Sequence, residues 1–334
     1  PILNVQWLAP IVIAQKADGQ GIRLCFYLRG LNENILVERH PLPRINEMLS
    51  TMGKATCFSV LDLSRAYYQV ELHPDSRPLT AFATPLGSFM FNRMPFGLAS
   101  AAAVFQKVMQ TILHDLDNTM CYQDDVLIYG SSKGEHDKIL VEVLHRLEEA
   151  GCTIRPEKCV LGADSVEYLG HQLSKDGLKP KCSLVKAIKE APRPQNKEGL
   201  RSFLGLVEYM AKYIKDFTDM SNCLRNILKK NAPFSWSEEC EQAFENIKEA
   251  IIRAPNLGTF DTRRKTYLMT DASMNGIGAT LTQMEGKEER IIAFASRCLS
   301  ASEKNYSVIE KEALACYWGI LHFRYFLWGL PFTV

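Results

Sequence analysis

The chain has 334 residues, of which 46% are hydrophobic and 23% are charged, and its formal net charge is +1. This composition is typical of a globular chain with two or three domains, and it argues against a disordered or fibrous protein. No apolar run approaches the roughly 20 residues of a membrane span, and the N-terminal residues lack the pattern of a signal peptide. We therefore expect no membrane association and a cytoplasmic setting.

Periodicity of the apolar residues predicts the secondary structure along most of the chain. In chain order it indicates mostly strands and turns over 1–95, a helix over 99–116, a hairpin over 121–130, a helix over 135–151, a hairpin arm over 166–174, mostly helices over 196–253, strands over 265–296 and a long helix over 303–326. Gly151 is placed to end the second helix.

The ten cysteines and seven histidines show no metal-binding spacing. No two cysteines form C-x-x-C, and no two histidines form H-E-x-x-H. We therefore expect reduced thiols and no zinc site.

Charge is distributed unevenly along the chain. Residues 151–230 carry 15 Lys and Arg against nine Asp and Glu. A solvated helix face and a surface that contacts phosphates both account for this excess, and charge alone does not choose between them.

Two adjacent aspartates, Asp124 and Asp125, lie between apolar and aromatic residues in CYQDDVLIYG. Successive side chains of a strand point to opposite faces, so both carboxylates could reach one target only at a turn. The alternative is an Asx-type turn whose carboxylates face water. Asp62 follows another apolar run, where a helix-capping role is the alternative. If the two strands are neighbours, the three carboxylates need a countercharge, which Mg²⁺ would supply.

Several sequence blocks occur in a fixed order and together resemble a known family. They are CFYLRGLN, LDLSRAYYQVELHP, TAFATPLGSFMFNRMPFGLASAAAVFQKVM, YQDDVLIYG, EYLGHQLS, LRSFLGLVEYMAKYIKDF, TDAS and NYSVIEKEALA. The series resembles the reverse transcriptase and ribonuclease H region of a Ty3/gypsy-type retrotransposon Pol polyprotein. The resemblance implies an α+β fold, namely a right-hand polymerase with fingers, palm and thumb, followed by a connection and a truncated ribonuclease H-like α/β domain.

The resemblance also implies domain boundaries. The expected domains are fingers and palm over 1–174, thumb over 175–230, connection over 231–264 and the ribonuclease H-like domain over 265–334. We expect that a fingers segment precedes residue 1 and that a third ribonuclease H aspartate follows Val334, so we expect no ribonuclease H activity from this chain. The basic excess of 151–230 would then follow the backbone of template and primer.

The activity implied by the resemblance is RNA-directed DNA synthesis on an RNA or DNA template, with deoxynucleotides (dNTPs) added to a primer. Two Mg²⁺ ions, or Mn²⁺ in their place, would act at each active site. The residues that match the family's catalytic and metal-binding positions are Asp62, Asp124 and Asp125 in the polymerase, with Asp125 the less direct participant, and Asp271 and Glu312 in the ribonuclease H-like domain, with Glu310 as a substitute.

Other positions match binding residues of the family. Lys16 and Arg23 would hold the triphosphate, Tyr67 would lie beneath the incoming sugar, Phe96 and Gly97 would lie beside the nucleotide, and Tyr168, Leu169 and Gly170 would hold the primer end. Without the family, Lys16 and Arg23 read as surface charges, and Tyr67 reads as a core residue next to Tyr68.

The implied partners are an RNA template, a DNA primer, the RNA–DNA hybrid, dNTPs and other parts of the Pol polyprotein, in a cytoplasmic virus-like particle, and a homo-oligomer stays open. The chain departs from the family at Tyr27, where an aspartate is usual, and at Gln123, where an apolar residue is usual. A decayed or host-adopted element that only binds nucleic acid is one alternative function, and a generic carboxylate-metal nuclease is another.

Overall fold

The structure is a computed structural model, and it describes residues 7–15, 22–50, 52–230 and 232–334. The strands are β1 (Ile11–Gln15), β2 (Ile22–Phe26), β3 (Cys57–Asp62), β4 (Phe82–Thr84), β5 (Gly87–Phe89), β6 (Thr119–Tyr122), β7 (Asp125–Gly130), β8 (Val160–Ala163), β9 (Ser165–Tyr168), β10 (His171–Ser174), β11 (Gly177–Pro180), β12 (Thr266–Ala272), β13 (Gly276–Glu285), β14 (Glu288–Cys298) and β15 (Phe332–Thr333). The helices are α1 (Arg29–Asn32), α2 (Ile45–Ser50), α3 (Ala101–Ile112), α4 (Lys133–Glu149), α5 (Cys182–Lys189), α6 (Lys197–Tyr209), α7 (Phe217–Ile227), α8 (Glu238–Ile252), α9 (Val308–His322) and α10 (Arg324–Leu327).

The chain folds as two compact units. Unit 1 comprises residues 1–44 and 58–163, and unit 2 comprises residues 45–57 and 164–334. Among the helices of the described residues, none is long and apolar enough to cross a membrane.

Unit 1 is built around a four-stranded sheet in the order β6-β7-β3-β8. Its two central strands are buried along almost their whole length, and each carries a partly accessible aspartate at one end, Asp62 on β3 and Asp125 on β7. Such continuous apolar runs are expected of strands that are covered on both faces. Phe105 and Met109 of α3 and Val143 of α4 pack into the core with these strands.

Helix α4 shows how the sequence sets the limits of an element in unit 1. The side chain of Ser132 accepts a hydrogen bond from the amide of Glu135 and caps the N-terminus. Gly151, with φ of +69°, adopts the left-handed conformation just after the helix ends, which favours glycine. The helix predicted over 135–151 is therefore confirmed.

Unit 2 contains a three-stranded sheet, β11-β10-β9, and a four-stranded sheet, β14-β13-β12-β15, with helices α5 to α8 between them in the chain. The helices predicted over 196–253 are confirmed, and the segment predicted as one hairpin arm over 166–174 contains both strands of a hairpin, β9 and β10. The long helix predicted over 303–326 is interrupted. Ser307 and Glu310 form a capping box that starts α9, and α9 ends before α10 begins at Arg324.

Helix α9 covers one face of the four-stranded sheet of unit 2. Gly319 of α9 lies against Thr270 and Ala279, which are paired across β12 and β13. Gly278, the residue before Ala279 on β13, lies against Asp216, which precedes α7. Because side chains alternate along a strand, α9 and the start of α7 contact opposite faces of this sheet.

Two cysteines of unit 2 lie side by side. The structure brings Cys223 of α7 next to Cys240 of α8, with a Cα–Cα distance of 5.7 Å, and the expectation of reduced thiols stays a prediction. The two cysteines are 17 positions apart and belong to no recognisable motif, because the packing of two helices brings the pair together.

Candidate functional site

The three aspartates of the predicted polymerase site come from two neighbouring strands of unit 1. Asp62 ends β3, Asp124 lies in the turn after β6, and Asp125 begins β7. The amide of Leu63 donates to the carbonyl of Asp124 at 3.0 Å, so the end of β3 lies directly against the hairpin turn. The structure therefore brings the two sequence-distant strand ends together.

The turn that carries Asp124 is held by a buried glutamine of α3. Tyr122 and Asp125 are paired across the hairpin, and Gln123 takes a φ of +55°. The side chain of Gln106 accepts from the amide of Gln123 and donates to the carbonyl of Cys121, both at 2.9 Å. These bonds fix a turn residue whose left-handed conformation is uncommon outside glycine.

The electrostatics of the site show that the carboxylates interact. Burial, together with the negative charges of Asp124 and Asp62, raises the pKa of Asp125 to about 6. Burial, with smaller contributions from Asp125 and Asp124, raises the pKa of the Cys121 thiol to about 12. Like charges that share a site favour the protonated forms unless a cation compensates them.

Two cations flank Asp62 and were missed by sequence reasoning. Arg155 Nη1 lies 3.6 Å from Asp62 Oδ1, and Lys158 Nζ lies 3.8 Å from Asp62 Oδ2. The charge of Lys158 also lowers the pKa of Asp125. The backbone guides this placement, because the amide of Arg155 donates to the carbonyl of Asp62 at 2.9 Å. The basic excess of 151–230 contains both residues, but their position beside β3 depends on the fold.

The donor atoms of the site fit a divalent cation in part. Asp62 Oδ1 is buried and has no hydrogen-bond partner, and carboxylate oxygens are the ligands that Mg²⁺ prefers. Across the described residues, no three His, Cys, Asp or Glu side chains are grouped closely enough to hold a metal ion as they stand. The trio thus stays a prediction as a ligand set.

Tyr67 lies next to the aspartates in unit 1. Its hydroxyl donates to Gln123 Oε1 at 3.1 Å, and its ring centroid lies 4.9 Å from that of Phe96. Burial and the charge of Asp124 raise its pKa. Tyr67 therefore belongs to the surroundings of the carboxylates, whereas Tyr68 packs against Phe91 and Phe96.

The structure describes the other predicted nucleotide-binding residues to different extents. Phe96 is 48% exposed, and Gly97 takes a φ of +97°, where a Cβ would lie 3.2 Å from the carbonyl oxygen of Phe26. Arg23 lies in β2 opposite Ala14 of β1, and only its backbone is described. Lys16 lies outside the described residues. The triphosphate role of Lys16 and Arg23 thus stays a prediction.

The predicted primer-binding residues form the turn of the β9–β10 hairpin in unit 2. Tyr168 pairs with His171, and Leu169 and Gly170 have φ values of +43° and +72°. The hydroxyl of Tyr209 donates to the carbonyl of Leu169 at 2.7 Å. A Cβ on Gly170 would lie 2.7 Å from the Tyr209 ring, so the turn needs glycine here.

The two predicted ribonuclease H residues lie on different elements of unit 2, Asp271 on β12 and Glu312 on α9. Asp271 is paired with Gly278, and its charge raises the pKa of Asp216, which burial already raises. Asp271 therefore faces the start of α7, whereas α9, which carries Glu312, covers the opposite face. Glu310 accepts hydrogen bonds from the amide and hydroxyl of Ser307, so it serves the helix cap. The pairing of Asp271 with Glu312 stays a prediction.

Comparison with protein-family models matches most of the chain. Residues 14–173 match "Reverse transcriptase (RNA-dependent DNA polymerase)", and residues 236–334 match "RNase H-like domain found in reverse transcriptase". The chain belongs to the reverse transcriptase family. The predicted resemblance and the order of the two domains are thereby confirmed.

Similar proteins are transposon polyproteins. This reverse transcriptase chain is 34% identical over 336 residues to the Retrovirus-related Pol polyprotein from transposon 412 of Drosophila melanogaster, with 98% of the chain and 27% of the relative covered. It is 37% identical over 340 residues to the corresponding polyprotein from transposon 297 of the same species, with 100% of the chain and 31% of the relative covered. A Tf2-3 polyprotein of Schizosaccharomyces pombe is 33% identical over 321 residues, with 95% and 24% covered. The chain thus spans less than a third of the length of these relatives.

Solved structures confirm the fold class. A foamy viral protease-reverse transcriptase dRH in complex with ds DNA aligns with a TM-score of 0.91 and 22% identity, covering 99% of the reverse transcriptase chain and 58% of the other. The foamy viral protease-reverse transcriptase in complex with RNA/DNA hybrid aligns with a TM-score of 0.86 and 21% identity, covering 99% and 45%. The expected mixed fold of a reverse transcriptase followed by a ribonuclease H-like domain is confirmed, while the exact domain boundaries stay predictions.

Proposed function

We propose that this reverse transcriptase chain adds dNTPs to a DNA primer on an RNA or DNA template by phosphoryl transfer at a site that holds two Mg²⁺ ions. The observation that carries the proposal is the meeting of the β3 end with the β6–β7 turn, where Leu63 donates to Asp124. Asp62, Asp124 and Asp125 lie at this junction.

The roles of the chain's own side chains follow from their position. Asp62 and Asp124 would hold the metals, and Asp125 would contribute charge with less direct contact. When bound, two divalent cations supply positive charge to the attacking and leaving oxygens of an in-line displacement. Arg155 and Lys158 lie within 4 Å of the Asp62 carboxylate, and their positive charges limit the carboxylate repulsion.

Substrate binding is proposed from the surroundings of the carboxylates. Tyr67 would lie beneath the incoming sugar, with Phe96 and Gly97 beside it, and the bulk of its ring would exclude a 2′-hydroxyl. The Leu169–Gly170 turn would hold the primer end. The basic excess of 151–230 supports phosphate contacts that are independent of sequence.

Nucleic acid as the partner is supported by the neighbours. The foamy viral proteins are in complex with double-stranded DNA and with RNA/DNA hybrid, and we propose the same partners for this chain. Binding should then weaken steeply with salt, because phosphate contacts release counterions.

The deciding experiment is primer extension on an RNA template with Mg²⁺. The wild-type chain is compared with Asp124→Asn and with Asp117→Asn, in which an exposed aspartate just before β6 is changed. We expect extension by the wild type and Asp117→Asn and none by Asp124→Asn. Hybrid binding without extension by any of the three would overturn the proposal and support the scaffold alternative.

A further inference from the structure

The side chain of Gln123 connects the catalytic turn to two other parts of unit 1. Its Nε2 donates to the carbonyl of Ala102 in α3 at 3.2 Å, and its Oε1 accepts from the hydroxyl of Tyr67 at 3.1 Å. Its backbone amide donates to Gln106 at 2.9 Å. The residue that departs from the family pattern is therefore hydrogen-bonded through its backbone and both polar atoms of its side chain.

The orientation of the Gln123 amide is set by its partners. The carbonyl of Ala102 can only accept, so the nitrogen of the amide must face it. The oxygen then faces Tyr67, and the phenol must be the donor. An apolar side chain at position 123 offers no acceptor to this hydroxyl.

The ring of Tyr67 is contacted on its sides as well as at its tip. Its centroid lies 4.9 Å from that of Phe96 and 5.7 Å from that of Phe105. Phe105 is buried in the core of unit 1, whereas Phe96 is half exposed. Within the part of the chain that the structure describes, Gln123 is the hydrogen-bond partner of the hydroxyl group, so it restricts the movement of the phenol.

We propose that Gln123 is a positioning residue for sugar selection, which holds the phenol of Tyr67 where the ring excludes a 2′-hydroxyl. The inference rests on the proposed function of the site. Without the hydrogen bond the ring keeps its aromatic contacts but gains freedom at its tip, and a more mobile ring excludes ribonucleotides less well. A neutral hydrogen bond of this kind corresponds to a change of about threefold to tenfold in an equilibrium.

The test is a set of four proteins assayed for single-nucleotide addition with deoxy- and ribonucleotides. Gln123→Met keeps the length of the side chain without its polar atoms, and Tyr67→Phe keeps the ring without its hydroxyl. We expect each single variant to lower the kcat/KM preference for deoxynucleotides by about threefold to tenfold. The double variant should show no further loss, because both changes remove the same bond.

Two controls separate this role from general destabilisation. Gln110→Met, at an exposed position of α3, should keep the wild-type preference. The thermal midpoint is measured for each protein, since a purely structural defect would slow both sugars alike and leave their ratio unchanged.

The outcomes distinguish the inference from the proposed function. Extension by the wild type with an unchanged sugar preference in Gln123→Met overturns the inference alone, and so do additive losses in the double variant. No extension by the wild type overturns the proposed function and the inference with it.

Discussion

The amide of Leu63 donates to the carbonyl of Asp124 at 3.0 Å, so the residue after Asp62 is bonded to the tip of the β6–β7 hairpin. This bond uses only backbone atoms. Substitution of either aspartate side chain therefore leaves the two strand ends together, and the chemical role of each carboxylate can be tested without loss of the local fold.

We expect Asp62→Asn to abolish DNA synthesis while hybrid binding persists. Loss of residues that only support metal ligands costs about 10- to 100-fold, so loss of a direct ligand should cost at least about a hundredfold. Single-turnover extension and hybrid affinity are measured on the same preparations, with Asp117→Asn as the control. Near-normal extension by Asp62→Asn would show that the metal assignment is wrong.

Part of the polymerase site was predictable from the sequence, because its strands and turn depend on short local patterns of residues. The hairpin around Asp124 and the strand that ends at Asp62 follow from apolar runs bounded by polar residues. That the two strands are neighbours was assumed and could not be derived, because the order of strands in a sheet depends on contacts between distant segments. The resemblance supplied the roles of Asp62, Asp124 and Asp125, which neither spacing nor composition gives.

The network around these carboxylates could not be predicted. Gln106 and Gln123 read as ordinary polar residues until α3 is seen to pack beside the hairpin. Arg155 and Lys158 were visible only as part of a charge excess. In unit 2, the sequence gives no sign that α9 and Asp271 belong to opposite faces of the sheet, since that depends on how a helix crosses a strand.

Asp125 should couple Mg²⁺ binding to pH. Its pKa in the folded chain is raised from 3.8 to about 6, so the folded state binds more protons than the unfolded state between these values. Without a cation, stability should therefore fall as pH rises from about 4 to about 6. Mg²⁺ should raise the thermal midpoint more at about pH 8 than at about pH 5.

Thermal unfolding with and without MgCl₂ checks this expectation, and NaCl of equal ionic strength serves as the control. Asp125→Asn should reduce the pH dependence of the Mg²⁺ effect. An equal Mg²⁺ effect at both pH values in the wild type would contradict it.

Tyr67→Ala should admit ribonucleotides, because removal of the whole ring opens the space that Tyr67 would occupy beneath the sugar. The loss of preference should exceed that of Tyr67→Phe, which keeps the ring. The ratio of kcat/KM for deoxy- and ribonucleotides is measured, with Tyr68→Ala as the matched neighbour. An unchanged ratio of kcat/KM for deoxy- and ribonucleotides in Tyr67→Ala would show that the role of Tyr67 is purely structural.

Gly170→Ala should destabilise the chain more than Gly286→Ala. Both glycines have positive φ values, +72° and +67°, but a Cβ on Gly170 meets the ring of Tyr209 at 2.7 Å and a Cβ on Gly286 meets nothing within 4 Å. The left-handed conformation alone costs an L-residue about 1–2 kcal/mol, and overpacking should add about 1–3 kcal/mol at Gly170.

Urea unfolding gives the two free energies, and primer affinity is measured in parallel. Gly170→Ala should also lower the affinity for the primer, because the added Cβ forces the turn and the Tyr209 ring apart. Equal losses of stability in the two variants would show that the Tyr209 contact does not constrain the turn.

Tyr213→Phe should destabilise the chain through His171. The buried His171 Nδ1 lies 2.9 Å from the Tyr213 hydroxyl, and loss of that partner leaves a buried polar atom unpaired at a cost of about 1–3 kcal/mol. Burial lowers the pKa of His171 to about 2, so the ring stays neutral in the folded chain.

The pH dependence of the same site has a definite sign. Below the ordinary pKa of 6.5, His171 of the unfolded chain takes up a proton, whereas His171 of the folded chain stays neutral. The contribution of neutral His171 to stability is therefore complete above that pH and is lost as pH falls towards about 2. Urea unfolding of the wild type, Tyr213→Phe and Tyr317→Phe at about pH 8 and about pH 5 measures both effects. Tyr317 is 63% exposed on α9, and its variant should match the wild type. A Tyr213→Phe variant as stable as Tyr317→Phe would show that the His171 bond contributes nothing.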